Sequence, residues 1–157
     1  MASPTSDRIT ALSNQLAEAH QELRRRLAAL RAGRLGPDDL RTHCLAFCTA
    51  LTTHHRGEDT GLFAALLRER PDLAPTIDNL IEDHGLITGI LTRIASLAGA
   101  NPAEAGDPAT IQRELDGLTA IMESHFRYEE RALATALDAG VPDTGWSTPV
   151  LRLRPPR

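Results

Sequence analysis

Apolar residues recur along most of this chain at alternating spacings of three and four, the period of one buried face of an α-helix. The pattern breaks at clusters of Gly and Pro: "RAGRLGPDD" at 31–39, "RERPD" at 68–72 and "AGANPAEAGDP" at 98–108. Four segments of roughly 25 to 30 residues remain between the breaks, each long enough for a stable packed helix. Starts are well signalled, as by Asp107-Pro108, a capping residue followed by proline at the first helical position. Residues 5–137 therefore read as one helical domain. The stretch "AGVPDTGWSTPVLRLRPPR" closes the chain as a Pro-rich, irregular tail over 138–157.

The four stripes can be written out. The first runs Ile9, Leu12, Leu16, His20, Leu23, Leu27, Leu30, and the second Leu40, Cys44, Phe47, Leu51, His54, Glu58, Leu62. The third is Leu73, Ile77, Leu80, His84, Ile87, Leu91, Ile94; the fourth is Ile111, Leu115, Leu118, Met122, His125, Glu129, Ala132. This is the seam of an all-α protein, an antiparallel up-down-up-down four-helix bundle. Each stripe holds one histidine.

The stretch "TTHHRGEDTG" at 52–61 offers two i, i+4 pairs, His54 with Glu58 and His55 with Asp59. His54 and Glu58 fall on the stripe, whereas His55 and Asp59 are rotated about 100° from it. The inward pair is therefore His54 with Glu58, and His125 with Glu129 repeats it on the fourth segment. Heights agree as well. His20 lies 13 residues before Gly33 and His54 lies 16 after Asp38; Glu58 and His84 each lie 13 from Pro71; His84 is 15 before Gly99 and His125 is 17 after Pro108. At about 1.5 Å per residue, antiparallel packing brings all four histidines within a turn of one level.

A residue lands on a two-in-seven seam about 30% of the time by chance, so four histidines doing so together is roughly a one-in-a-hundred event. Burying two carboxylates and four imidazoles without compensation is prohibitive. A bound cation resolves the cost.

Composition narrows the chemistry further. The chain has 157 residues, 41% apolar and 3% aromatic, which suits one helical core of Leu, Ile and Ala. A formal charge of -4 gives no reason to expect nucleic acid or an anionic membrane as partner. No apolar run approaches the roughly 20 residues of a membrane span. The opening "MASPTSDRIT" lacks the regions of a signal peptide, so a cytoplasmic protein is expected. Cys44 and Cys48 read as small core residues. Cys44 is about 16 Å along the helix from His55 and cannot share an ion with it.

The donors near the stripe are nitrogen and carboxylate oxygen without thiolate, unlike most structural zinc sites. Six donors are too many for one tetrahedral ion. Two carboxylates able to bridge, with four imidazoles, suit a pair of metals that prefer octahedral surroundings, such as iron or, less favoured, manganese.

A histidine on the first helix, H-x-x-x-E on the second, a histidine on the third and H-x-x-x-E on the fourth resembles the hemerythrin-like, or HHE cation-binding, family. "HHRGEDTGLFAALL", "EDHGLI" and "SHFRYEERAL" resemble its second, third and fourth helix signatures. The resemblance implies a non-haem, oxo- or hydroxo-bridged di-iron centre, with Glu58 and Glu129 as bridges and His20, His54, His84 and His125 as terminal ligands. Thr88 stands where oxygen-carrying relatives place a second histidine on the third helix, which leaves fewer imidazoles and more open coordination positions. Tyr128 is a candidate for a phenol turned towards the metals or for flank packing. Gly57, Gly85 and Gly89 leave room for a small ligand or permit close packing of helices. The resemblance points to a peroxide or small diatomic ligand. The favoured expectation is decomposition of hydrogen peroxide, or reaction with nitric oxide, in oxidative or nitrosative stress defence. A dioxygen carrier or sensor and an iron-responsive module are the alternatives, and a monomer or weak homodimer is expected.

Overall fold

A computed structural model describes residues 11–99 and 107–153. Ile9, most of the third break and residues 154–157 lie outside the described residues. The described residues are helical, with turns and no strand. The long elements are α1 (Leu12–Arg31), α2 (Pro37–Gly57), α4 (Ala74–Gly99) and α5 (Pro108–Asp138), and the short ones are α3 (Phe63–Glu69) and α6 (Ser147–Leu151). Among them, no helix is long and apolar enough to cross a membrane.

Local chemistry sets the ends. Pro37 opens α2, with Asp38 and Asp39 in its positive first turn. Asp107 caps α5, its carboxylate accepting from the Thr110 N–H at 2.7 Å, and Pro108 follows at the first position. The second segment is not one regular helix. A π-turn over Glu58–Leu62 joins α2 to α3, then Arg70 leaves helical geometry and Pro71–Leu73 makes one tight 3-10 turn before α4. A π-turn inserts an extra residue into the helical ladder and is found frequently at functional sites.

The four long helices pack in a closed ring, α1 on α2, α2 on α4, α4 on α5 and α5 on α1. Along one seam Ser13 meets Asp138, Arg24 meets Glu123 and Arg31 meets Asp116. Arg93 meets Glu114 while Asp83 meets His125 along another. The stripes are buried as read, except that Leu12 and Ala132 are half-buried. They form two apolar clusters, one with Leu23, Leu51, Ile87 and Met122, the other with Leu16, Leu62, Leu80 and Leu133. On α1 and α4 the change from one cluster to the other falls at His20 and His84, along the second segment it falls at His54 and Glu58, and on α5 it falls at Glu129, between Phe126 and Leu133. A polar layer thus lies between two apolar ones.

The tail departs from expectation. Ala139–Trp146 is turn and coil, but Ser147–Leu151 forms α6, which packs on α2, the π-turn and α1. Trp146 and Val150 are buried in the second apolar cluster. The local hydrophobic period of five residues is too short to announce a helix; what fixes it is Asp143, whose carboxylate accepts from the Ser147 hydroxyl at 2.5 Å and the Gly145 N–H at 2.9 Å.

Candidate metal centre

His20, His54, His84, His125, Glu58 and Glu129 all reach the polar layer, and all are buried. A seventh residue joins them. His55 was expected on a flank, yet it is 4% exposed, and its ring stacks on that of His84 at 3.8 Å between centroids. The reason is that the flank of α2 beside the stripe packs on α4, and the His55 ring also meets the His125 ring of α5 edge-on at 5.4 Å, so α2 buries more than a two-in-seven seam. Cys48, seven residues before His55 on the same line, faces α4 too, its thiol towards the Leu91 carbonyl. Small buried-type residues along that line were the available signal.

The inward atoms lie close. His84 Nε2 is 3.1 Å from His125 Nε2 and 3.3 Å from Glu58 Oε1, while His54 Nε2 is 3.5 Å from the same Oε1. His125 Nε2 is 3.2 Å from Glu129 Oε2, and His20 Nε2 is 3.9 Å from Glu129 Oε1. Donors each about 2.1 Å from one first-row ion stand roughly 3.0 to 3.4 Å apart, for octahedral or tetrahedral angles. Among the described residues, two groups are disposed to hold an ion: His55, Glu58, His84 and His125, and His20, His54 and Glu58. Glu58 belongs to both.

Among the described residues, seven buried side-chain atoms have no hydrogen-bond partner: Nε2 of His20, His54 and His55, and both carboxylate oxygens of Glu58 and Glu129. At about 1–3 kcal/mol each, leaving them so costs roughly 7–20 kcal/mol, against a net stability of about 5–15 kcal/mol for a typical domain. Orphans of this number, all acceptors or lone-pair donors and all convergent, fit cations and little else.

Electrostatics agrees. Burial lowers the His54 imidazole to about 3 and holds His55 well below its ordinary range, so both present lone pairs. Burial and the neighbouring Glu129 carboxylate push Glu58 well up. Without a counter-charge the two glutamates therefore hold one proton between them.

The outer nitrogens are equally ordered. His84 Nδ1 meets Asp59 Oδ1 at 2.7 Å, His125 Nδ1 meets Asp83 Oδ2 at 3.0 Å, and His20 Nδ1 meets Glu130 Oε2 at 2.9 Å. Each acid adjoins an inward residue on its own element: Asp59 follows Glu58, Asp83 precedes His84, Glu130 follows Glu129. Each reaches the histidine of the next element round the ring. His54 alone is held by a neutral group, the Val150 carbonyl of α6 at 2.8 Å. An Nδ1–H donated outward fixes the tautomer that leaves Nε2 free for a metal.

Other expectations fare differently. Thr88 is exposed, its hydroxyl turned back to the His84 carbonyl at 2.8 Å. Tyr128 packs half-buried against the second apolar cluster. Gly85 has open space about it and Gly89 nearly so, whereas Gly57 abuts Pro149 and Val150 of the tail rather than the cluster. Cys44 and Cys48 are free and buried in the core.

The family profile for the hemerythrin HHE cation binding domain matches residues 11–137, which contain every one of the inward donors. No curated protein and no solved structure matches the chain.

Proposed function

Because the chain belongs to the hemerythrin HHE cation-binding family, we propose that its buried cluster holds two iron ions and acts on a small oxidant, hydrogen peroxide or nitric oxide. Two observations carry the two-ion reading: seven orphaned inward atoms, and two donor groups that share Glu58, with the Glu129 oxygens orphaned beside them but in neither group. His55, His84 and His125 would serve one ion, and His20 and His54 the other. Glu58 and Glu129 would serve both. The helical scaffold is an antiparallel up-down-up-down bundle, a reading supported by the way residue numbers fall along α5 as they rise along α1.

Bound there, iron would supply Lewis acidity and redox electrons to the ligand. The chain's own residues do the rest. Asp59, Asp83 and Glu130 keep three imidazoles aimed inward. Leu51, Leu62, Phe63 and Phe126, all buried, exclude bulk water, so only a small ligand fits this reading. The Glu58–Glu129 pair is the place where a proton is stored when positive charge leaves the layer.

A second reading, reversible dioxygen binding, is favoured by His55. It raises the convergent imidazoles to five, so the shortage inferred from Thr88 no longer argues against a carrier. Two measurements separate the readings. Metal analysis of protein from iron-grown cells should give two irons per chain with charge-transfer absorption in the near ultraviolet. Gas evolution on adding peroxide, with free iron chelated, supports the enzyme; a colour that vanishes on deoxygenation and returns supports the carrier. One ion per chain, or zinc alone, would refute the two-iron reading.

A further inference from the structure

The ring of outer hydrogen bonds passes from the π-turn after α2 to α4, from α4 to α5 and from α5 to α1, and there it stops. Ala19 and Gln21 flank His20, so α1 offers no acid to His54. The missing partner comes from the tail, which lies outside the matched residues 11–137. We propose that α6 is a working part of the metal centre: Val150 positions His54 through its carbonyl, and makes the His20–His54 position the more weakly held of two unequal cation positions. This rests on the two-ion reading above.

The fit of α6 shows how the carbonyl is held in place. Gly57 and Gly61 leave the surface on which the tail sits. A Cβ at Gly57 would stand 2.9 Å from Pro149 Cγ and from Val150 Cγ2, and one at Gly61 would stand 2.6 Å from Trp146 Cβ. These are ring, branched and main-chain-proximal atoms that cannot swing aside. Gly140 and Gly145, both with positive φ, let the chain turn back. Trp146 donates its indole N–H to the Pro142 carbonyl at 2.8 Å, bracing the turn.

The inequality follows from the partners. A carboxylate on Nδ1–H shifts electron density into the imidazole and makes Nε2 a stronger donor, while a neutral carbonyl does so less. The His55, His84 and His125 group has three imidazoles, two of them backed by carboxylates. The His20 and His54 group has two, one so backed. Its second imidazole also depends on a five-residue helix rather than on a long one.

Gly57→Ala and Gly61→Ala test this in the full chain. Alanine is the better helix former, so any loss must come through the displaced tail. Gly85→Ala, beside His84 but with nothing near its Cβ, is the control. Anaerobic titration with ferrous ion against a competing chelator should show the first ion bound as in wild type and the second at least about tenfold more weakly. In the metal-free protein, the His54 Nδ1 proton should exchange with solvent faster in both variants and unchanged in the control. Binding of both ions as in wild type, equal weakening of both, or a His54 proton as protected as before would overturn the proposal. Should Gly57→Ala fail to fold, Gly61→Ala decides. A wild-type chain that takes only one ion refutes the two-ion reading, and α6 is then judged by the His54 proton alone.

Discussion

Glu58→Met should make the metal-free protein more stable and the iron-loaded protein less so. Methionine matches glutamate in length, is apolar, and would lie between the two apolar clusters. The substitution removes two of the seven orphaned atoms. Each costs about 1–3 kcal/mol when unsatisfied, and the proton held between Glu58 and Glu129 relieves part of that, so we take a gain of about 2 kcal/mol. For a domain of this size each kcal/mol moves the melting temperature by about 2–4 °C. The variant should therefore melt about 4–8 °C higher than wild type in a strong chelator.

With ferrous iron in excess the order should reverse. A ligand at a hundred times its dissociation constant adds about 2.7 kcal/mol to the folded state, and wild type alone retains the carboxylate shared by both groups. Thermal melts by circular dichroism, anaerobic, with chelator and with iron, read both arms. A variant less stable than wild type in chelator would show that Glu58 is satisfied within the protein, and the argument from orphaned atoms would fail.

Asp83→Asn should lower cation affinity by about 10- to 100-fold without unfolding the protein, since Asp83 is 33% exposed; chelator competition measures it. His55→Ala should reduce tightly bound iron towards one per chain, whereas His43→Ala, at a half-buried position outside the cluster, should leave it at two by metal analysis. Thr88→His should change neither iron content nor peroxide turnover, because position 88 faces solvent; a new imidazole band in the metal spectrum would contradict this.

The stripes were legible because each element buries one face over five or more turns, and a long period averages out local exceptions. Six of the inward donors followed from that period alone. His55 did not, because a two-in-seven seam is narrower than the buried face of α2, whose flank beside the stripe packs on His84 of α4 and His125 of α5. The helix α6 was hidden as well. Its five residues contain a proline and one apolar pair, and it is held by the Asp143 turn before it and by contacts with glycines far away in sequence. The π-turn was hidden for a related reason. Gly57 and Gly61 weaken the helix locally, but only the packing of Trp146 and Val150 shows why small residues are required there.

The doubled acids carry a more general point about how the site is built. Glu58-Asp59 and Glu129-Glu130 each pair an inward carboxylate with one rotated about 100° from it, and Asp83-His84 does the same with an imidazole. The rotated member is half-buried, at 26 to 33% exposure, which is where a helix meets its neighbour. It therefore reaches the neighbour's histidine rather than solvent or its own helix. His20, His84 and His125 are thus each oriented by a residue whose own placement depends on a different donor being inward. The π-turn, α4 or α5, rotated out of register, would turn an inward donor away and misalign a neighbour's histidine. Under the proposed reading the cluster then acts as a test of packing: cations would bind well only when the long helices agree, and their binding energy would return what the seven orphaned atoms cost.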